Sequence, residues 1–264
     1  MLHLATYIMM PFMADLALGA PTPSGTSSAA PAVGTAVGQN STSIPAPVSV
    51  QSTRAGNQTL IAQLTDAATA VDRYELIPFA SDHLFDFNNS PLASAVTTGL
   101  GGHLVTANRK SFPALIGTGG SMSVGFVGPC GFNTPHTHPR AAELNIVVQG
   151  SLLTEHIIEN GGTLIRNRLN QYQMSVFPQG AIHCEFNPDC TDAVFVAGFP
   201  SEDAGVSSTA QRLFDLDDDV LRAEFGSDLA FNDGRDLDQF RNQIPANVAK
   251  GVESCLKKCN IAKR

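Results

Sequence analysis

The sequence predicts an all-β fold, a single barrel or sandwich of short strands followed by a helical C-terminal tail. Between residues 121 and 199, short segments rich in Val, Ile, Leu and Phe alternate with Gly, Pro or Asn turns: SMSVGFV, AELNIVVQG, SLLTEHIIE, TLIRNRL, QMSVFP and DAVFVAGF. Strands of this length and spacing indicate a sandwich or barrel. After Pro200 the apolar period becomes helical, in SSTAQRLFDLDDDVLRAEF and in PANVAKGVESCLKKCN. The strand array occurs once, so no internal duplication is expected.

The elements are justified in chain order. Residues 1–19 hold an apolar run broken by Pro11 and Asp15, too short for a membrane span. With the small-residue context Ala17-Leu18-Gly19 it reads as a secretory signal peptide. Residues 20–57 are dominated by Ala, Pro, Ser, Thr and Gly, a low-complexity linker that cannot bury enough surface to order itself. Asn40, Asn57 and Asn88 open Asn-x-Ser/Thr sequons, glycosylation acceptors in a secreted chain. The barrel with an N-terminal extension is assigned to residues 58–200, the extension beginning with one short helix and an extended segment. Residues 201–264 form the helical region, with Pro245 suited to a first turn and Lys257 and Lys258 to a last one. Asp217, Asp218 and Asp219 read as a solvated helix start.

The 264 residues are 43% hydrophobic and 15% charged, enough for a sizeable core. A formal net charge of −8 makes nucleic acid or an anionic membrane a poor partner. Small molecules, metals or self-association fit better.

His136 and His138 stand two apart, so on a strand both face one side. Pro139 and Arg140 supply a turn, and Glu143 begins the next strand aimed back at the same point. His183 follows the turn-like PQG. Three imidazoles and a carboxylate suit a divalent transition metal, and a buried, unpaired cluster of this kind would be costly.

The order of these residues resembles the two motif boxes of the germin branch of the cupin superfamily. In the first box His136, Thr137, His138, Glu143 and Gly150 match, with Cys130 in the place of the opening glycine. In the second, Pro178, Gly180, His183 and Asn187 match, with Tyr172 in the place of the opening glycine. The likeness extends from about residue 65 to the tail and is similar to secreted fungal spherulin-like cupins. It implies a single cupin (double-stranded β-helix, jelly-roll) barrel holding one metal, manganese before iron, zinc or copper. It also implies a secreted, extracellular or cell-wall location, and a homo-oligomer, trimer or hexamer.

The resemblance leaves the reaction open. It implies a redox oxidoreductase of superoxide-dismutase or oxidase type, or a non-enzymatic structural, storage or wall protein. A third reading is a small-molecule tailoring oxidase or cyclase, with Phe126, Phe132, Phe177 and Phe186 as lining or simply as core. Asn133 matches a substrate-binding asparagine of the germin oxalate oxidases, whereas Ser123 stands where they carry a second asparagine. A hydroxyl cannot reproduce the two-ended hydrogen bonding of an amide.

Of the five cysteines, Cys255 and Cys259 lie four apart on the predicted tail helix. Bridges to other elements suit disulfide geometry better than one along the helix. At least one is expected to pin the tail to the barrel through Cys130 or Cys190, in one of three possible pairings. Cys184 is the expected free thiol, turned away from His183 by strand alternation.

Overall fold

The structure is a computed structural model, and it describes residues 54–90, 92–225 and 242–262. The predicted signal peptide, Asn40 and the linker up to residue 53 lie outside the described residues. Residues 54–57 form a turn into the first helix, with Arg54 Nε 3.1 Å from the Asp82 carboxylate.

Where one helix was expected, the N-terminal extension forms two: α1 (Gln58–Asp66) and α2 (Ala70–Glu75). Asn57 caps α1, accepting from the Leu60 N–H at 3.0 Å. Thr69 and Asp72 make a reciprocal capping box that starts a second helix where apolar periodicity alone gave no signal. Leu60, Leu64, Ile77 and Ile116 form the extension's own small core.

The barrel strands are β1 (Val96–Gly99), β2 (Gly102–Ala107), β3 (Ser121–Val127), β4 (Gly131–Thr137), β5 (Glu143–Gln149), β6 (Ser151–Ile157), β7 (Ile165–Asn170), β8 (Met174–Phe177), β9 (Ile182–Phe186) and β10 (Ala193–Phe199). All six strand-like segments of the sequence are strands. β1 and β2 were not anticipated, because VTTG and GHLVTA carry too few large apolar residues to stand out.

Two antiparallel sheets result. One has the order β1-β2-β3-β10-β5-β8 and the other runs β4-β9-β6-β7, with β11 (Ser207–Ser208) on the free side of β4. Alternation along each strand turns one set of side chains inward. Val127, Val147, Leu152, Leu169 and Phe195 belong to the apolar core so formed. Gly125 makes room for it, since a Cβ there would lie 2.2 Å from the Phe195 ring.

The region after Pro200 departs from the reading of two long helices. The first stretch splits into α3 (Thr209–Leu213) and α4 (Asp218–Phe225), with Asp218 and Asp219 in the first turn of α4. In the second, no helix starts at Pro245. Ala249–Lys250 is instead a strand, β12, paired with β4 at Phe132 and Gly131, and the helix α5 spans only Glu253–Lys258. The free edge of β4 captures the backbone before a helix can begin.

Two disulfides fix this tail, Cys130–Cys255 and Cys190–Cys259, spanning 125 and 69 residues. By loop-closure entropy, bridges that close loops of this size contribute roughly 4–5 kcal/mol each. Cys184 is free, as expected. Burial, then the carboxylates of Glu185 and Glu155, pushes its thiol up to about 12, which makes it unreactive at neutral pH.

The two substitutions in the motif boxes have a common backbone reason. Cys130 and Tyr172, each in the place of a family glycine, have φ of 58° and 65°. This left-handed region costs a residue with a Cβ roughly 1 kcal/mol or more. Cys130 is held there by its disulfide, and Tyr172 sits in an exposed turn between β7 and β8.

Candidate metal centre

The quartet singled out from the sequence comes together. His136 lies near the end of β4, His138 just beyond it, Glu143 opens β5 and His183 lies in β9, directly across from His136. One ligand atom from each of the four lies within 4.8 Å of every other, and all four residues are buried. The predicted turn at Pro139-Arg140 is what folds Glu143 back onto the histidines.

Hydrogen bonds orient each imidazole. His136 Nδ1 meets the Thr134 carbonyl at 2.8 Å, His183 Nδ1 meets the Ala181 carbonyl at 2.8 Å, and His138 Nδ1 meets the Gly205 carbonyl. A carbonyl only accepts, so each Nδ1 carries the proton and donates it. Each Nε2 is thereby left for the centre, the tautomer a metal needs. Phe177 stacks on His183 with centroids 4.5 Å apart, and Phe199 packs on His138 at 4.6 Å.

The donor set fits a divalent cation. Nε2 of His138 and of His183 lie 2.8 and 3.2 Å from the same oxygen of Glu143, Oε2. Bare lone pairs this close to a carboxylate oxygen repel unless a cation or a proton lies among them. Burial, then the charge of His183, pushes His136 down to about 3, so it remains a neutral ligand at physiological pH. Burial alone would raise the Glu143 carboxyl, but His138 and His183 outweigh it and hold Glu143 well below the usual range, ionised. Asn145 Nδ2 donates to the other oxygen, Oε1, at 2.9 Å and fixes the carboxylate plane.

Asn187, the last residue of the second box, is a structural tie. Its Nδ2 donates to the carbonyls of Val127, Gly128 and Thr191 at 2.8–3.1 Å.

Against the quartet lies a cavity of about 160 Å3, lined among others by His136, His138, Glu143, Asn133, Ser123 and Asn247. Asn133 and Ser123 are where the sequence placed them. Of the four phenylalanines considered as lining, none lines this cavity; Phe177 instead backs His183. The aromatic wall is Phe195 and Phe199, from β10. Phe126 stacks on His103, and Phe186 packs under the tail beside Cys130 and Cys255. Phe132 pairs with Ala249 and Phe186.

Asn247 and Glu185 went unremarked in the sequence. Asn247 Nδ2 donates to Asn133 Oδ1 at 2.5 Å, and the Thr134 N–H donates to Asn247 Oδ1 at 2.9 Å. Nothing in the sequence links residues 114 positions apart. Glu185 is fully buried one layer away from the quartet, opposite Asn133 on β4 and Thr154 on β6. It lies two residues after His183 on β9, so strand alternation alone would have turned it inward.

Asn57 and Asn88 are both exposed, and the capping bond of Asn57 uses Oδ1 and leaves its Nδ2 free of that contact. Among the described residues, no helix is long and apolar enough to cross a membrane.

Comparison with known proteins agrees with this architecture. Residues 89–232 match the Cupin family model. Spherulin-1A of Physarum polycephalum is 39% identical over 79% of this chain and 82% of its own length. Germin-like protein 8-2 of Oryza sativa subsp. japonica is 34% identical over 49% of this chain and 61% of its own. A solved oxalate oxidase is 24% identical, with a TM-score of 0.51 over 62% of this chain and 84% of that one, a likeness of fold alone. The match to the family model and the extent of the spherulin match lead to one conclusion: this chain is a member of the cupin family.

Proposed function

We propose that this protein is a secreted cupin that holds one divalent transition metal, manganese, on His136, His138, Glu143 and His183, and acts as an oxidoreductase on a small molecule at that centre. The observation that carries the reading is the set of three imidazoles, each with Nδ1 donating to a backbone carbonyl and Nε2 facing the centre beside the Glu143 carboxylate, next to an open cavity. A metal bound there would supply Lewis acidity and, if redox-active, one-electron chemistry of the superoxide-dismutase or oxidase type. The chain's own residues do the rest. The backbone carbonyls fix the imidazole tautomers, Asn145 orients Glu143, and Phe177 and Phe199 shield two of the rings from water. Asn133 and Asn247 present amides to whatever enters the cavity. Secretion is supported by the two disulfides and by the leader expected from the sequence, with glycosylation at Asn40, Asn57 and Asn88 following from it. A trimeric or hexameric assembly is part of the same proposal, on the resemblance to germins.

The 39% identity to Spherulin-1A favours a second reading, a non-enzymatic structural or storage protein whose metal rigidifies the barrel. One experiment separates them. Metal content and superoxide turnover are measured on the wild type and on His136→Ala and His183→Ala. Turnover that vanishes with either histidine supports the enzyme; a fully metallated wild type inert to superoxide and to oxalate supports the structural role.

A further inference from the structure

The cavity at the quartet adjoins another, with part of the wall in common. A second chamber of about 230 Å3 shares Thr97, Thr106, Ser123 and His138 with the first and adds Ser94 and Asn108. Ser123 is the hinge of this arrangement. Its Oγ lies 2.8 Å from Thr106 Oγ1, and it lines both chambers. A larger amide side chain there would take up space at the boundary of the two chambers. Position 123 carries no amide, but the tail brings one to the same cavity. Asn247 is presented by the segment that β12 and the two disulfides bind to the barrel.

The lining sets the chemistry of the ligand. Among the described residues, no lysine or arginine lines either chamber, and the outer one carries the acidic Asp203, held by Arg140 at 2.9 Å. A second negative charge at the far end of a ligand would therefore meet a carboxylate, with the nearby guanidinium of Arg140 already committed to it. Neutral hydroxyl groups would meet serine and threonine hydroxyls that both donate and accept. At the inner end, a divalent metal with the single negative charge of Glu143 leaves a net positive charge for one anionic group. An amide nitrogen has two N–H donors, and Asn247 spends one on Asn133, so the other remains for a ligand.

We propose that the site takes a monoanionic polyhydroxy acid, of the aldonic-acid class. Its acid end lies in the inner cavity beside the quartet and Asn247, and its hydroxylated chain runs past Ser123 into the outer chamber. This rests on the metal reading above.

The test is calorimetric titration of the metal-loaded protein with three probes, with metal content measured on every sample. Gluconate has the required single charge and chain, glycolate is too short to reach the outer chamber, and glucarate adds a second carboxylate at the far end. Gluconate is expected to bind at least about tenfold more tightly than either, the equivalent of one or two well-made hydrogen bonds. Ser123→Asn should keep its metal while losing about tenfold in its preference for gluconate over glycolate. Ser94→Ala, which removes a hydroxyl that lines the outer chamber and not the inner one, should weaken gluconate several-fold and leave glycolate unchanged. Asn247→Ala should weaken both. A metallated wild type that binds gluconate no better than glycolate or glucarate overturns the proposal alone, as does gluconate binding unaltered in both Ser123→Asn and Ser94→Ala. A wild type that takes up no metal overturns the metal reading and the proposal with it.

Discussion

Two carboxylates, Glu143 and Glu185, lie inside the same barrel, both completely shielded from water and both within reach of the Asn145 amide, at 2.9 and 3.4 Å. They behave in opposite ways. Glu143 faces the imidazoles of His138 and His183 and is held ionised. Glu185 faces the Asn133 amide and the neighbouring charge of Glu143, and burial followed by that charge raises its carboxyl well above the usual range. Its Oε2 has no hydrogen-bond partner. Burial is common to the two, so burial does not decide which of them is charged. What decides is the group across the gap, imidazoles for one and a carboxylate for the other. One barrel thus holds a layer built for a cation and, beside it, a layer built to stay neutral.

The largest effect that would break this contrast is on metal uptake. Glu143→Gln should lower metal affinity by more than about 100-fold, since even partners of metal ligands are worth about 10–100-fold. Glu185→Gln should retain stoichiometric metal. Metal analysis of the two purified variants checks this, and equal loss in both would erase the distinction.

Acidification of the metal-free protein comes next. His136 takes up a proton near 6.5 in the unfolded chain but only near 3 when folded. Between those values the unfolded state binds more protons, so stability is present above about 6.5 and is lost as pH falls towards 3. The loss should be on the order of 4 kcal/mol, read as a falling urea midpoint. A flat profile over that window would show His136 to be open to water.

Glu185 should act with the opposite sign. Its folded carboxyl is raised, so its contribution is present below the unfolded value near 4.5 and declines as pH rises towards the folded one. Glu185→Gln should remove that decline, read as a flatter dependence of the urea midpoint on pH. A variant with the same slope as the wild type would mean that Glu185 is already ionised.

The smallest effect sharpens the boundary between the layers. His156 pairs across the sheet with His183 and packs edge-on to Phe177 at 5.6 Å, yet it stands apart from the ligand quartet. His156→Gln should therefore change metal content by less than about twofold, against the near-complete loss expected for His183→Ala.

The legibility of these parts follows from distance along the chain. Three of the four candidate ligands fall within eight residues around one turn, and the fourth follows a turn of its own. Strand alternation was enough to put them on one inward face. The tail was misread at Pro245 because a helical pattern of apolar residues says nothing about an open strand edge waiting for it. Whether a phenylalanine lines the cavity or is simply core stayed open in the sequence because hydrophobicity does not say which side chains reach the cavity; Phe195 and Phe199 do, and Phe126 does not.

The sequence by itself determined most of the strand array, the grouping of His136, His138 and Glu143, and the free thiol at Cys184, because each depends on spacing within a few residues; His183, 40 residues beyond Glu143, joined them through its own motif box. Tertiary structure alone decided the pairing of Cys130 with Cys255 and Cys190 with Cys259, the arrival of Asn247 at Asn133, and the opposite states of Glu143 and Glu185. Each of these depends on groups far apart in the chain meeting in space, where a few ångströms set both the geometry of a bond and the sign of a charge's effect.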